Sequence, residues 1–88
     1  MPQVRLFGNL RKLASTTTLE FAGDTVREVI LALCAANEDL CGAILDDGHL
    51  RPHVRVMVAG RDVALTGGLD TPVGEADQIA IFPPIAGG

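Results

Sequence analysis

Asp77-Gln78-Ile79-Ala80-Ile81-Phe82-Pro83-Pro84-Ile85-Ala86-Gly87-Gly88 changes character part-way along. Its first half alternates as an extended strand does, placing Ile79 and Ile81 inward and Phe82 on the opposite side. Pro83 and Pro84 then lock φ and supply no N–H, so strand pairing has to stop there. The residues beyond are expected to project as a tail that thins to Gly87 and Gly88, where no Cβ obstructs close backbone approach. Residues 83–88, fully extended, reach roughly 20 Å. A carboxylate on such a stem suits entry into a narrow active site of another protein. A frayed end is the plainer alternative, so the remainder of the chain must decide.

Working outward, Gln3-Val4-Arg5-Leu6-Phe7 alternates with Val4 and Leu6 on one face and Arg5 and Phe7 on the other. Thr18-Leu19-Glu20-Phe21 alternates as well, and the stretch from Gly8 to Thr17 between them suits a loop joining antiparallel strands. Thr25 with Glu28 three residues on has the capping-box spacing. Val26, Val29, Ile30 and Leu33 then form a stripe at helical spacing. Asn37 followed by Glu38 and Asp39 predicts a second N-cap, with Leu40, Ile44 and Leu45 anchoring a short helix that Asp46-Asp47-Gly48 ends. Val54-Arg55-Val56-Met57-Val58 alternates again. Ala59-Gly60-Arg61-Asp62 turns the chain into a short strand around Val63 and Leu65, which Gly67-Gly68 breaks.

The order is strand, strand, helix, short helix, strand, short strand, strand. It predicts an α+β domain with a mixed sheet of four to five strands and one main helix plus one short helix on one face. This is the order of the β-grasp, or ubiquitin-like, fold. Residues 1–82 would form that domain and residues 83–88 an extended Gly-Gly tail. The helix covers only one face of the sheet. Phe7, Met57 and Phe82 fall on the other, where three large apolar side chains form a candidate docking patch.

Composition narrows the class of partner. Hydrophobic content of 48% and charged content of 20% fit a folded domain. A net charge of −4 with scattered basic residues argues against a nucleic-acid partner. No apolar run approaches a membrane span or a signal peptide, so a cytoplasmic location is expected. Cys34 and Cys41 match neither a C-x-x-C nor a zinc spacing, and are expected to be small buried apolar residues, with a disulfide as the lesser alternative.

The segment Asp70-Thr71-Pro72-Val73-Gly74-Glu75-Ala76-Asp77 and the strand and tail after it resemble the C-terminal signature of the MoaD/ThiS sulfur carriers. Val4-Arg5-Leu6-Phe7-Gly8-Asn9-Leu10-Arg11-Lys12-Leu13-Ala14 is similar to the first strand and loop of the MoaD branch. Within this family, the longer chain with its second helix disfavours the thiazole-pathway branch. The stretch 50–58 with Gly67-Gly68-Leu69-Asp70 is similar to members grouped with small modifiers and with carriers for cysteine synthesis. Pro83-Pro84 is closer to molybdopterin-synthase small subunits. One departure is Glu75-Ala76-Asp77, where the family usually has Asp-Gly-Asp; a left-handed turn there would strain Ala76.

The resemblance implies a sulfur carrier rather than an enzyme. A ubiquitin-activating-type adenylyltransferase would spend ATP on the Gly88 carboxylate, and a sulfur donor would convert it to a thiocarboxylate. A molybdopterin synthase large subunit, or another sulfur-acceptor enzyme, would receive the tail. In these terms Gly88 is the reactive residue and Gly87 gives clearance. Phe7, Met57, Phe82, Pro83, Pro84, Ile85 and Ala86 would contact partners. The chain itself would bind no cofactor or metal, and would be monomeric alone. Conjugation to target lysines through Gly88, or service in cysteine biosynthesis, are the alternatives.

Rival sites are weak. His49 and His53 have a helical spacing for two ligands, but Pro52 between them breaks a helix. Asp46-Asp47 beside Gly48 reads as a solvated turn. Gly67-Gly68 has no phosphate-loop lysine. Ser15 before Thr16-Thr17-Thr18 has no basic partner nearby.

Overall fold

The computed structural model describes residues 1–14 and 18–83. Among the described residues, seven strands and two α-helices succeed one another: strands β1 (Gln3–Leu6) and β2 (Thr18–Glu20), helices α1 (Val26–Ala36) and α2 (Glu38–Ile44), then β3 (Leu45–Asp46), β4 (His49–Leu50), β5 (Arg55–Val58), β6 (Arg61–Asp62) and β7 (Gln78–Phe82). Five of the strands form one mixed sheet in the order β2-β1-β7-β5-β6, while β3 and β4 make a separate hairpin. Only β1 and β7 run parallel within that sheet, and they lie side by side in its middle.

Alternation along the strands builds the core. Val4 and Leu6 from β1, Val56 and Val58 from β5, and Ile79 and Ile81 from β7 are all buried. The register places Val4 beside Ile79 and Leu6 beside Ile81, with Val56 and Val58 completing the same rows. Against this face lies the α1 stripe of Val26, Val29, Ile30 and Leu33, each fully buried. Each fully buried aliphatic side chain contributes roughly 1.5–3 kcal/mol relative to exposure.

Both helix starts form as their spacing predicts. The Thr25 hydroxyl accepts from the Glu28 N–H at 3.2 Å. The Glu28 carboxylate reaches back to the Asp24 N–H at 3.0 Å, one residue earlier than in the standard box. The Asn37 side-chain oxygen accepts from the Leu40 N–H at 3.1 Å and opens α2. Leu40 and Ile44 are buried below it, so the short helix is held by packing rather than length.

Several expectations need correction. Part of the stretch between β1 and β2 is a 3₁₀ segment, Gly8–Leu13, anchored by buried Leu10. The short strand after β5 is Arg61–Asp62, and Val63–Leu65 is a 3₁₀ turn that Asp62 caps through the Ala64 N–H at 2.9 Å. Leu45 leaves α2 for the hairpin, whose turn is Asp47-Gly48 with both residues at positive φ. Ala76 carries no strain. Its turn closes through the Asp77 N–H to the Gly74 carbonyl at 3.1 Å, and the Gly74 N–H to the Asp77 carboxylate at 2.7 Å, without positive φ at Ala76.

The cysteines are joined. Cys34 in α1 and Cys41 in α2 form a disulfide with Cα atoms 4.5 Å apart. The chain folds back at Asn37, which is both the C-cap of α1 and the N-cap of α2, and this brings the two sulfurs together. The expected pair of buried apolar thiols gives way to the lesser alternative, a disulfide, because the corner between the two helices closes the distance.

Candidate functional site

The candidate site is the end of the sheet at Phe82 and Pro83, where the described residues stop. Phe7 lies just beyond β1, and its N–H donates to the Ile81 carbonyl at 3.1 Å, extending the ladder by one residue. This brings its ring onto that of Phe82, with centroids 4.4 Å apart and planes 15° from parallel. Both residues are half-buried rather than free. The stack is worth about 0.5–1.5 kcal/mol beyond its buried area, so each ring holds the other in place.

The outer face around them is mixed. Cross-strand register sets Arg5 beside Ala80 beside Met57, and sets Arg55 opposite Phe82. Met57 and Ala80 are half-buried, and both arginines are exposed. The Arg5 guanidinium sits 5.3 Å from the centre of the Phe7 ring, within cation–π range. Arg55 contacts the Asp62 carboxylate at 3.4 Å, a surface pair worth little by itself. An apolar centre of two rings and a thioether is thus flanked by two guanidinium groups.

Gly8 lies against Pro83. Its φ of +59° turns the chain out of β1 into the 3₁₀ segment. A Cβ built there would stand 2.7 Å from Cγ and 3.2 Å from Cδ of Pro83. The Pro83 ring therefore rests directly on a residue that has no side chain. Sequence reasoning did not single out Gly8. Its signal was a glycine at the end of an alternating run, just where a strand must stop.

The structure brings Phe7, Phe82 and Pro83 together, with Met57 on the same sheet face one row away. Pro84, Ile85, Ala86, Gly87 and Gly88 lie outside the described residues, as does the Ser15-Thr16-Thr17 run. Of the rival positions, His49 pairs with Asp46 in the small hairpin, and His53 is exposed at a φ of 69°. Among the described residues, no group of three or more His, Cys, Asp or Glu is arranged to hold a metal ion. No helix of the described residues is long and apolar enough to cross a membrane.

A model of the ThiS family matches residues 4–88, running through both strands of the parallel pair and on to the final glycine. The chain belongs to the ThiS family. This family member is 33% identical to the small archaeal modifier protein 3 of Haloferax volcanii, across 98% of its own length and 97% of that protein. It is 34% identical to the molybdopterin synthase sulfur carrier subunit of Escherichia coli over the whole of both chains. Among solved structures, a chain in the crystal structure of the Amycolatopsis orientalis BexX/CysO complex superposes with a TM-score of 0.89. That chain is 27% identical, and each chain is covered fully. The β-grasp fold read from the order of strands and helices is the fold of these relatives.

Proposed function

We propose that this ThiS-family protein carries sulfur on Gly88 as a thiocarboxylate and delivers it to a molybdopterin precursor. The observation that carries the reading is the Gly-Gly end, which the family match includes, behind a proline pair whose first ring is seated on Gly8. An ionised carboxylate resists nucleophiles at neutral pH. It must first be activated, and an adenylyltransferase partner using ATP would form the acyl-adenylate. The outer sulfur of a persulfide donor then displaces AMP to give an acyl disulfide. A second thiol cleaves its S–S bond, leaving the thiocarboxylate on Gly88 and a disulfide on the donor.

The protein's own contribution is presentation. Phe7, Met57 and Phe82 dock against the partner, and Pro83 and Pro84 stiffen the root. Ile85, Ala86 and Gly87 would enter the partner's channel, with Gly87 giving clearance beside the reacting carbon. The catalytic groups belong to the partners. The choice of molybdopterin rests on the full-length likeness to the molybdopterin synthase carrier subunit and on the Pro83-Pro84 pair.

A second reading, conjugation through Gly88 to lysines of other proteins, is favoured by the likeness to small archaeal modifier protein 3. A carrier for cysteine biosynthesis is the third use of the same activated end, and the match to the BexX/CysO chain is compatible with it. Intact-mass analysis of protein from its native cells separates a carrier from a modifier. A carrier shows one oxygen replaced by sulfur at Gly88, whereas a modifier shows Gly88 in isopeptide bonds. If a strain whose copy lacks Gly88 still makes molybdenum cofactor, the molybdopterin reading fails.

A further inference from the structure

We propose that Cys34 and Cys41 form a reversible thiol–disulfide switch governing how firmly the α1–α2 corner, and through it the 3₁₀ segment against Pro83, is held. The bond joins the last turns of α1 to the first of α2. Both cysteines are only half-buried, which leaves the corner within reach of a small thiol.

The corner has a hub. The Asn37 backbone N–H donates to the Leu33 carbonyl at 2.9 Å and ends α1. Its side-chain oxygen caps α2, and its side-chain amide donates to the Leu13 carbonyl at 2.8 Å. Leu13 is the last residue of the 3₁₀ segment Gly8–Leu13, whose first residue touches the Pro83 ring. Physical contacts therefore run unbroken from the disulfide to the root of the tail.

Opening the bond leaves the fold intact, because Leu33, Leu40 and Ile44 are fully buried and anchor both helices independently. The sequence separation is only 7, so the closed ring shifts the folding equilibrium by roughly 60-fold in the loop-entropy account. The switch is therefore a local restraint on a stable domain.

The chemistry balances with an ordinary thiol couple. Each cysteine loses its thiol proton, and together they give two electrons to a low-molecular-weight disulfide, which leaves as two thiols. A dithiol reverses the step.

The test is hydrogen exchange on the full chain in oxidised and reduced glutathione, with the redox state read from the intact mass. Reduction should lower protection of the Leu40 amide in α2 and of the Ala14 amide after the 3₁₀ segment by tenfold or more. The Cys34→Ser, Cys41→Ser double variant should match the reduced protein in both buffers. Asn37→Asp keeps the oxygen that caps α2 but removes the amide donor to Leu13. In that variant the response should persist at Leu40 and vanish at Ala14. The proposal is overturned if protection falls only in the central sheet, if the double variant still responds, or if Ala14 responds in Asn37→Asp. It is equally overturned if the cysteines stay in one state across the whole glutathione range.

Discussion

Replacing Gly8 with alanine should disturb the root of the tail more than it disturbs the domain. Two costs are involved. Alanine at a φ of +59° loses about 1 kcal/mol to left-handed strain. The new methyl group would also lie 2.7 Å from Cγ of Pro83, inside any real Cβ contact, so the ring has to move. Forcing an extra methyl into a tight contact costs about 1–3 kcal/mol. Gly60 supplies the control, because its φ is +81° but a Cβ there meets nothing within 4 Å. Gly60→Ala should cost about 1 kcal/mol through strain alone, and Gly8→Ala about 2–4 kcal/mol through both terms. Urea unfolding monitors the stability difference. Thiocarboxylate formation by the activating partner, measured on folded protein, reports the tail. We expect Gly60→Ala to load normally and Gly8→Ala to load at least tenfold more slowly. Equal stability losses in the two variants, or normal loading of Gly8→Ala, would refute the idea that Pro83 is seated on this glycine.

Phe82→Ala removes the ring stacked on Phe7, and should cost roughly 2 kcal/mol of stability and weaken binding of the activating partner at least tenfold, measurable by calorimetry. Thr25→Ala deletes the hydroxyl that caps α1 and should destabilise by about 1 kcal/mol, with Thr25→Ser recovering most of it in thermal melts. Ile30→Ala empties a fully buried position on the α1 stripe and should cost about 2–5 kcal/mol, while the folded fraction retains normal partner affinity. A Phe82→Ala protein that binds as well as the parent would remove the docking role from the outer face.

Alternation in β1, β5 and β7 and the two N-caps at Thr25 and Asn37 were legible because each is a local pattern with one dominant physical cause. The pairing of Phe7 with Phe82 was half legible. The period of two placed them on the same face, but their contact depends on β1 and β7 being neighbours, which no local pattern states. The Gly8–Leu13 segment was hidden because a 3₁₀ turn has no strong repeat, although buried Leu10 is what holds it. The hairpin of β3 and β4 has strands of two residues, too short for alternation to show. Gly8 and the Cys34–Cys41 bond share one difficulty. Their meaning lies in what approaches them from elsewhere: a proline ring more than seventy positions away in one case, a second helix in the other.

The strand that carries the tail occupies the middle of the sheet, between β1 and β5, rather than an edge. During synthesis, β1 emerges early and must wait for almost the entire chain before its parallel neighbour arrives. Until then β1 and β5 are both left with open edges toward the gap, a hazard for self-association that favours rapid closure. Insertion of the final strand closes the gap and orients the root of the tail in the same event. The proposed activating partner, if it docks at this sheet end, would thereby meet only copies whose final strand is in place.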